Sequence, residues 1–286
     1  DGRLDMYRTN LQLSAVSLDG RFEGDDLVFE GRGTTTRGAL YLDGRFAWPE
    51  GVMTGEMRLR GDKLTLADTP DFRIVASPDL TIAADRDGYR VRGEILIPMA
   101  RITPKDLSTT VATSPDEKIV GAEEEDSGPS TLERVRSRVR VVLGDDVRVN
   151  SHGLKAQLGG SVTVITRPGD VVRGNGSIRV IEGEYKAFGQ YVRIKRGVLS
   201  YNRTPIDDPT LDLVAEREIK QENIVVWINV RGTLSSPFVT LSSEPPLPEN
   251  EALSYLLTGR SINTLQSGEA ASLDRAAQSL MVGSGG

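Results

Sequence analysis

Cysteine is absent from this 286-residue chain, and histidine occurs once, at His152. Without cysteine the chain can form no disulfide and has no thiol chemistry. A zinc site or a Ser-His-Asp triad would depend on His152, and the sequence has no Gly-x-Ser-x-Gly motif. Asp207, Asp208 and Asp212 match no known calcium loop and are typical of a turn. We therefore interpret His152 as an exposed turn residue, and expect no metal, no cofactor and no enzymatic activity.

Long apolar runs, aromatic residues and an excess of basic charge are also missing. No stretch reaches the ~18 apolar residues of a membrane-spanning helix, and a net charge of −6 lacks the basic footprint of a nucleic-acid-binding protein. Aromatic residues make up only 5% of the chain, which favours a thin or elongated structure. The sequence begins with Asp1 and shows no secretion signal. We interpret it as a fragment whose targeting segment is missing.

Short runs of alternating apolar and polar residues, separated by turn residues, predict an all-β chain. A hairpin turn is predicted at Asp87-Gly88 and a further turn at Arg167–Asp170. The segment LDGRF occurs at Leu18–Phe22 and again at Leu42–Phe46, as a weak repeat. Roughly fifteen to eighteen strands with closely spaced turns indicate an antiparallel, meandering sheet.

An acidic segment interrupts the strand pattern between residues 113 and 134. It contains the run Glu123–Asp126 among proline, glycine and serine residues. Neighbouring residues of an extended chain point in opposite directions, and loose acidic runs are usually solvated. We interpret this segment as a long flexible loop and not as a metal site.

The pattern changes to helical spacing after Pro245. Prolines precede a predicted helix that begins near Glu249 and stops at Gly259. A second short helix is predicted within Gly268–Gly283. These short C-terminal helices follow a chain that is otherwise predicted to consist of strands.

The first of these helices presents an apolar stripe made of Leu253, Leu256 and Leu257. An open sheet ends in an exposed edge and an apolar mouth, and such edges invite aggregation. We therefore expect the stripe to cap one end of the sheet. Tyr255 and Gly259 lie on other faces and are expected to be available to a partner. Docking on a partner protein is the alternative role of this helix.

A sheet with one apolar face must cover that face. Open sheets rarely exceed about ten strands without curling or splitting. The sheet can therefore close around a dry core, or it can bend into a trough whose apolar inner face stays open to a hydrophobic ligand. The abundant glycine permits strong curvature. The composition leaves both outcomes open.

The segment Gly153–Glu218 contains three distinctive motifs: GSIRVIEGEYKAFGQ at Gly176–Gln190, IKRGVLSY at Ile194–Tyr201 and NRTPIDDPTLDLVAER at Asn202–Arg217. These motifs resemble those of the TamB family, the inner-membrane-anchored subunits of the translocation and assembly module of Gram-negative bacteria. The tail ENEALSYLLTGRS at Glu249–Ser261 is similar to the helix that follows the last strands in that family. The resemblance extends over roughly Tyr89 to the C-terminus.

This resemblance implies an elongated, curled, antiparallel-rich sheet (a β-taco, or open trough) with an apolar interior. It also implies a periplasmic location, an inner-membrane anchor through a missing N-terminal helix, and an Omp85-family outer-membrane barrel (TamA-like) as partner. The family is similar to the AsmA-like and bridge-like lipid-transfer proteins. We accordingly divide the chain into a generic β-repeat portion (1–88), a TamB-type β domain (89–244) and a helical capping or partner segment (245–286).

The resemblance and the alternation together suggest a periplasmic bridge that carries phospholipid along a hydrophobic groove between the two membranes. The alternative function is a scaffold or chaperone that assembles outer-membrane β-barrel proteins and autotransporters by β-augmentation. Plain core packing is the alternative role of each candidate groove residue, and a one-residue register error would reverse a strand. The candidate groove residues are Val91, Ile95, Ile97, Val139, Val141, Leu154, Leu158, Val162, Val164, Ile178, Val180, Val192, Ile194, Leu211, Leu213, Val226, Ile228 and Val230.

Overall fold

A computed structural model of the chain describes residues 2–6, 11–104, 134–187 and 190–264. Within these ranges the chain is almost entirely extended, with one α-helix, α1 (Glu249–Thr258), and two short 3₁₀ turns at Pro49–Gly51 and Ile262–Thr264. The strands are β1 (Gly2–Met6), β2 (Leu11–Glu23), β3 (Asp26–Thr34), β4 (Ala39–Ala47), β5 (Thr54–Asp62), β6 (Leu64–Asp68), β7 (Phe72–Asp85), β8 (Gly88–Ile102), β9 (Val135–Ser151), β10 (Leu154–Thr166), β11 (Arg173–Ala187), β12 (Gln190–Pro205), β13 (Thr210–Ile219), β14 (Ile224–Thr233) and β15 (Pro237–Glu244).

The fifteen described strands follow one another through a single sheet in chain order, except that β6 pairs with β7 beside the main path. Over the described residues, β1 and β15 stand at the two ends of this order, so the sheet is open. The registers from β1 to β8 and from β11 to β15 are antiparallel. The prediction of an all-β, antiparallel-rich open sheet is confirmed.

The chain divides into two compact units. Unit 1 comprises residues 1–141 and 164–172, and unit 2 comprises residues 142–163 and 173–286. The sequence predicts domain boundaries after residues 88 and 244. These boundaries do not coincide with the limits of the two units, which are defined by contacts between residues, and they stay a prediction.

Unit 1 separates apolar and charged residues cleanly between the two faces of its sheet. Residues directly opposite each other on paired strands share a face, so each row of partners extends across β3, β4, β5, β7 and β8. Aliphatic, aromatic and glycine residues fill the rows of one face, which we call the unit 1 apolar face. These rows are Leu27, Phe46, Gly55, Ala84 and Tyr89; Phe29, Gly44, Met57, Ile82 and Val91; and Gly31, Leu42, Leu59, Leu80 and Gly93.

The opposite face of unit 1 carries ion pairs that join neighbouring strands. Arg58 binds Asp79 with two hydrogen bonds of 3.0 and 2.9 Å, and the hydrogen bond from Arg58 lowers the pKa of Asp79. Arg45 reaches both Glu23 and Asp26, at 2.8 and 3.0 Å. These side chains are largely solvated, and exposed pairs stabilise little. Their main consequence is that a register slip would carry charge onto the apolar face.

The repeated LDGRF segment places two glycines on either side of one aromatic ring. Phe29 on β3 stands directly opposite Gly20 on β2 and Gly44 on β4, and its ring stacks on Phe46 with centroids 5.6 Å apart. A Cβ at Gly44 would lie 2.7 Å from Phe29 Cζ and 2.8 Å from the Glu56 carbonyl oxygen. The repeat therefore makes room for a large ring in a chain with few aromatic residues.

Several local predictions are confirmed. Asp85 pairs with Gly88 across a tight turn between β7 and β8, close to the predicted hairpin. His152 is exposed in the turn between β9 and β10, where its Nδ1 lies 2.6 Å from Ser151 Oγ. The acidic segment, apart from Arg134, and the second predicted helix lie outside the described residues.

We expect the two glycines of the repeat to differ sharply in their tolerance of a methyl group. Gly44→Ala should destabilise the chain by about 1–3 kcal/mol, because Phe29 and the β5 backbone must move. Gly20→Ala is the matched control, since the nearest atom to its added Cβ, Leu27 Cδ1, is 3.5 Å away. Urea unfolding followed by circular dichroism measures both variants. Equal midpoints for the two variants would contradict the packing of Phe29 on Gly44.

Candidate functional site

The candidate site is an aliphatic surface on one side of the β11–β15 sheet in unit 2. Its rows follow directly from the registers: Ile194 opposes Ala215, which opposes Ile228, which opposes Leu241. The next row joins Gly197, Leu213, Val230 and Val239. We call this surface the unit 2 apolar face; its members are Ile178, Val180, Val192, Ile194, Leu199, Leu211, Leu213, Ala215, Val226, Ile228, Val230, Val239 and Leu241.

The nine groove residues predicted on β11 to β14 all lie on this one face. The other nine are on β8, β9 and β10. Val91 lies on the unit 1 apolar face opposite Ile82, and Ile95 stands opposite Pro78. All eighteen predicted residues are buried or half-buried. The structure thus brings half of them together on one surface, and a lipid groove at these residues stays a prediction.

The reverse side of the same strands is charged. Arg196 pairs with Asp212 at 3.1 Å, and Lys195 pairs with Glu216 at 2.8 Å. Asp212 also stands opposite Arg231 of β14. Unit 2 is therefore amphipathic across the thickness of a single sheet.

Glycines on the apolar face let neighbouring side chains lie flat across it. A Cβ at Gly197 would stand 2.6 Å from Val180 Cγ2 and 3.2 Å from Leu213 Cδ2. A Cβ at Gly183 would stand 2.9 Å from both Ile194 Cδ1 and Val180 Cγ1. Aliphatic side chains from flanking strands occupy the space that a side chain at these positions would need.

Helix α1 covers one end of the unit 2 apolar face. Its residues Ala252, Leu253 and Leu256 are buried against the sheet. The sheet side of this cluster consists of Val192, Ile219, Ile224 and Val226, and the partly buried Ala215, Ile228 and Leu241 pack against it. Of the predicted capping stripe, Leu253 and Leu256 are buried and Leu257 is half-buried, and a capping role for these residues stays a prediction.

The position of Tyr255 corrects the expectation that it faces outward to a partner. Its side chain is only 7% exposed and belongs to the same buried cluster. Burial, with Glu222 and Glu251 nearby, raises the pKa of its phenol. Ala252, Tyr255 and Leu256 have i, i+3, i+4 spacing and so share one face of the helix, and Leu247 and Ile262, which lie outside the strands, also pack against this cluster. Gly259 ends the helix as predicted, in the left-handed conformation at φ 76°.

Arg217 is the residue that the sequence analysis missed. It stands on β13 directly opposite Val226, at an aliphatic position of the alternation between Ala215 and Ile219. One nitrogen, Nη1, donates to the carbonyl oxygens of Tyr255, at 3.0 Å, and Leu256. The other, Nη2, donates to Gln190 Oε1 at 2.6 Å. A charged residue in the apolar register of a strand is the signal that would have found it.

The electrostatics of Arg217 match the end of the helix that it contacts. The last carbonyl groups of an α-helix lack intrahelical partners and carry partial negative charge, so a cation there is stabilising. Burial lowers the pKa of the Arg217 guanidinium below its ordinary value. All three acceptors are neutral oxygens, and the two on the docked helix compensate part of the cost of placing this cation on an apolar face.

Further contacts fix the ends of the helix. The Gly259 amide donates to the Tyr255 carbonyl oxygen at 3.0 Å, and Ser254 Oγ donates to the Arg260 carbonyl oxygen at 2.8 Å. Before the helix, the Leu247 amide donates to Ser243 Oγ of β15 at 2.9 Å. Polar hydrogen bonds thus attach helix α1 to the sheet in addition to the contacts of its apolar stripe.

Two negative results concern the described ranges alone. Within them, no group of three or more His, Cys, Asp or Glu side chains is placed to hold a metal ion. Asp208 instead accepts the Ser235 amide at 2.8 Å. Along the same ranges, no helix has the length and apolar character that a membrane crossing requires.

Comparison with known proteins identifies the family. The family model of the TamB C-terminal domain matches residues 29–286. The match begins upstream of Tyr89, the point from which the sequence resemblance extends. The chain belongs to the TamB family. The unit 2 apolar face and α1 lie within the matched residues, as does the unit 1 apolar face apart from Leu27.

A curated relative agrees with this membership. This TamB-family chain is 30% identical to the translocation and assembly module subunit TamB of Haemophilus influenzae, over 95% of its own length. The alignment covers 22% of that relative, so the chain spans about a fifth of its length.

We expect Arg217 to determine how firmly α1 is held. Arg217→Ala removes three hydrogen bonds, and charge-assisted bonds contribute about 1.5–3 kcal/mol each. Amide hydrogen exchange in α1 should therefore accelerate by at least about tenfold. Arg217→Lys keeps the charge but lacks the planar guanidinium. Its rate of amide exchange in α1 should lie between those of the unsubstituted protein and Arg217→Ala. Equal exchange in all three proteins would contradict this role of Arg217.

Proposed function

We propose that this chain holds the acyl chains of phospholipid on its apolar faces, as part of a periplasmic bridge between the inner and outer membranes. The observation that carries the proposal is the shared face of the nine predicted groove residues on β11 to β14. The charged reverse side makes the two faces chemically distinct. Such a surface suits a ligand with a long apolar portion.

The physics of the surface supports transport along it and not a fixed binding site. Hydrophobic contact is non-directional and roughly proportional to the apolar area removed from water. Most of the predicted groove residues are half-buried, which leaves apolar area for a ligand to cover. Neighbouring strands lie about 4.8 Å apart, so aliphatic rows repeat at short intervals from β11 to β15. An acyl chain can then move from one row to the next with little change in contact.

Family membership supports the wider setting. The Haemophilus relative is named as a subunit of a translocation and assembly module, and we propose that this chain serves the same kind of assembly in outer-membrane biogenesis. The proposal includes an inner-membrane anchor elsewhere in the protein and an Omp85-family barrel (TamA-like) as outer-membrane partner.

The free edge of β15 supports a second candidate function, β-augmentation of client or partner strands. β15 is the last strand of the described order and has β14 as its paired neighbour. Its sequence, PFVTLSSE, carries one charge, Glu244, and alternates apolar and polar residues. Natural edge strands are usually protected by charges or bulges, so a weakly charged edge is suited to receive another strand.

We expect a charge on the apolar face to block lipid binding. Ile194→Arg places a guanidinium in the row of Ala215 and Ile228, where burying it without a partner costs several kcal/mol. The phospholipid that co-purifies with the protein should fall by about tenfold or more, measured by lipid extraction and mass spectrometry.

Val198→Arg is the matched control on the same strand. Val198 stands on the charged side, between Asp212 of β13 and Arg179 of β11, so an arginine there stays off the apolar face. This variant should retain its phospholipid. Equal loss in both variants, or retention in both, would count against the apolar face as the lipid surface.

We expect β15 to contact an outer-membrane partner if the second function holds. A photoreactive residue at the exposed positions Thr240 or Ser242 should form adducts with the partner barrel, and one at Val214 on the central strand β13 should not. Adducts are resolved by mass spectrometry. Equal yields from the edge and the central strand would oppose β-augmentation at β15.

A further inference from the structure

We propose that α1 and an acyl chain compete for the same end of the unit 2 apolar face, so that α1 is a reversible cover over that end. The inference rests on the proposed function and adds a regulated surface to it. Arg217 is the positioning residue that directs α1 to this place.

Apart from Arg217 at the covered end, the covered and uncovered parts of the face have the same aliphatic chemistry. Val226 lies in the buried cluster beneath α1, and Val230 lies farther along the same strand on the same side. Four residues separate them, which is about 13 Å of extended strand. Both ends therefore present valine, isoleucine and leucine, and an acyl chain on the open part would continue under α1 if the helix left.

Helix α1 matches an acyl chain in what it contributes. Ala252, Leu253 and Leu256 provide aliphatic groups, and ten residues of α-helix extend about 15 Å. A single acyl chain has a similar length, since a whole bilayer core is about 30 Å thick. The two occupants can thus bury comparable parts of the sheet, and they cannot occupy it together.

The helix depends on the sheet for its own stability. Isolated helices shorter than about 12–15 residues are marginal in water, and α1 has ten. The N-cap residue that precedes it, Pro248, provides no side-chain cap. Displacement of α1 by lipid would therefore be coupled to unfolding of the helix. The rate of amide hydrogen exchange in α1 then reports whether the helix is docked.

Arg217 biases the empty surface toward the covered state. Two of its three hydrogen bonds go to α1 carbonyl oxygens and the third goes to Gln190. When α1 leaves, the guanidinium loses those two acceptors while it stays on an apolar face. The cover is accordingly favoured when no lipid is present, and lipid must supply the free energy that opens it.

The test places a diazirine-bearing residue at one of two positions on β15 in the full-length protein. Leu241 packs against the cluster under α1, and Val239 lies two residues away on the same face outside it. Vesicles of phosphatidylethanolamine and phosphatidylglycerol provide the lipid. The undocking variant is Leu256→Asp, which buries a charge and leaves the sheet unchanged. Asn250→Asp adds the same charge at an exposed position of α1 and is its control.

We expect lipid adducts at Leu241 to rise about tenfold in Leu256→Asp, and adducts at Val239 to stay constant. Asn250→Asp should match the unsubstituted protein at both positions. Amide exchange in α1 verifies undocking, and Leu253→Asp is added if one substitution does not accelerate it. An unchanged Leu241 yield with α1 undocked would overturn the competition while Val239 adducts uphold the proposed function. No adducts at Val239 in any variant would overturn the proposed function itself.

Reciprocity provides a second readout in the unsubstituted protein. If α1 lowers the affinity of lipid for the covered end, lipid must weaken the docking of α1 by the same factor. Adding the vesicles should therefore accelerate amide exchange in α1, and inorganic phosphate should not. Unchanged or slower exchange with vesicles would contradict the competition.

Discussion

The structure depends on the period-two alternation of side chains along hydrogen-bonded antiparallel strands. Because directly opposite residues share a face, each row inherits its chemistry from every strand it crosses. Leu213, Val230 and Val239 form an aliphatic row only while both registers, β13 with β14 and β14 with β15, hold. A slip of one residue in β14 would bring Asn229 or Arg231 into that row. The charged reverse side opposes such a slip, so the two faces specify each other.

The alternation of side chains assigns each residue to a face, and the glycines determine how much space lies above each row. Gly44 accommodates the Phe29 ring in unit 1, and Gly197 accommodates Val180 and Leu213 in unit 2. Each omitted side chain lets a neighbour cover the backbone of the adjacent strand. The apolar faces consequently remain continuous although the chain contains few large residues. A continuous face is what a ligand without directional contacts requires.

The sequence predicted the faces better than it predicted what covers them. Alternation located Ile194, Leu213 and Ile228 correctly, because a two-residue period assigns a side without knowledge of the partner strand. It could not show that Tyr255 is buried, because the burial of a helical residue depends on the surface against which the helix packs. Arg217 was missed for a related reason. A two-residue period selects the aliphatic residues of a register and assigns no role to a charged residue that interrupts them.

That exception explains why the helix docks at one place on a uniform surface. An aliphatic stripe fits equally well anywhere along rows of valine and isoleucine, so hydrophobic contact alone does not fix its position. The carbonyl oxygens of Tyr255 and Leu256 accept from the Arg217 guanidinium, which needs acceptors on an apolar face. One polar pair therefore selects the site that apolar contact stabilises. This division between apolar contact, which stabilises docking, and polar contact, which fixes its position, suits a cover that must open. Lipid can replace the apolar contact without reproducing the hydrogen bonds to Arg217. The helix therefore regains a unique position when the lipid leaves.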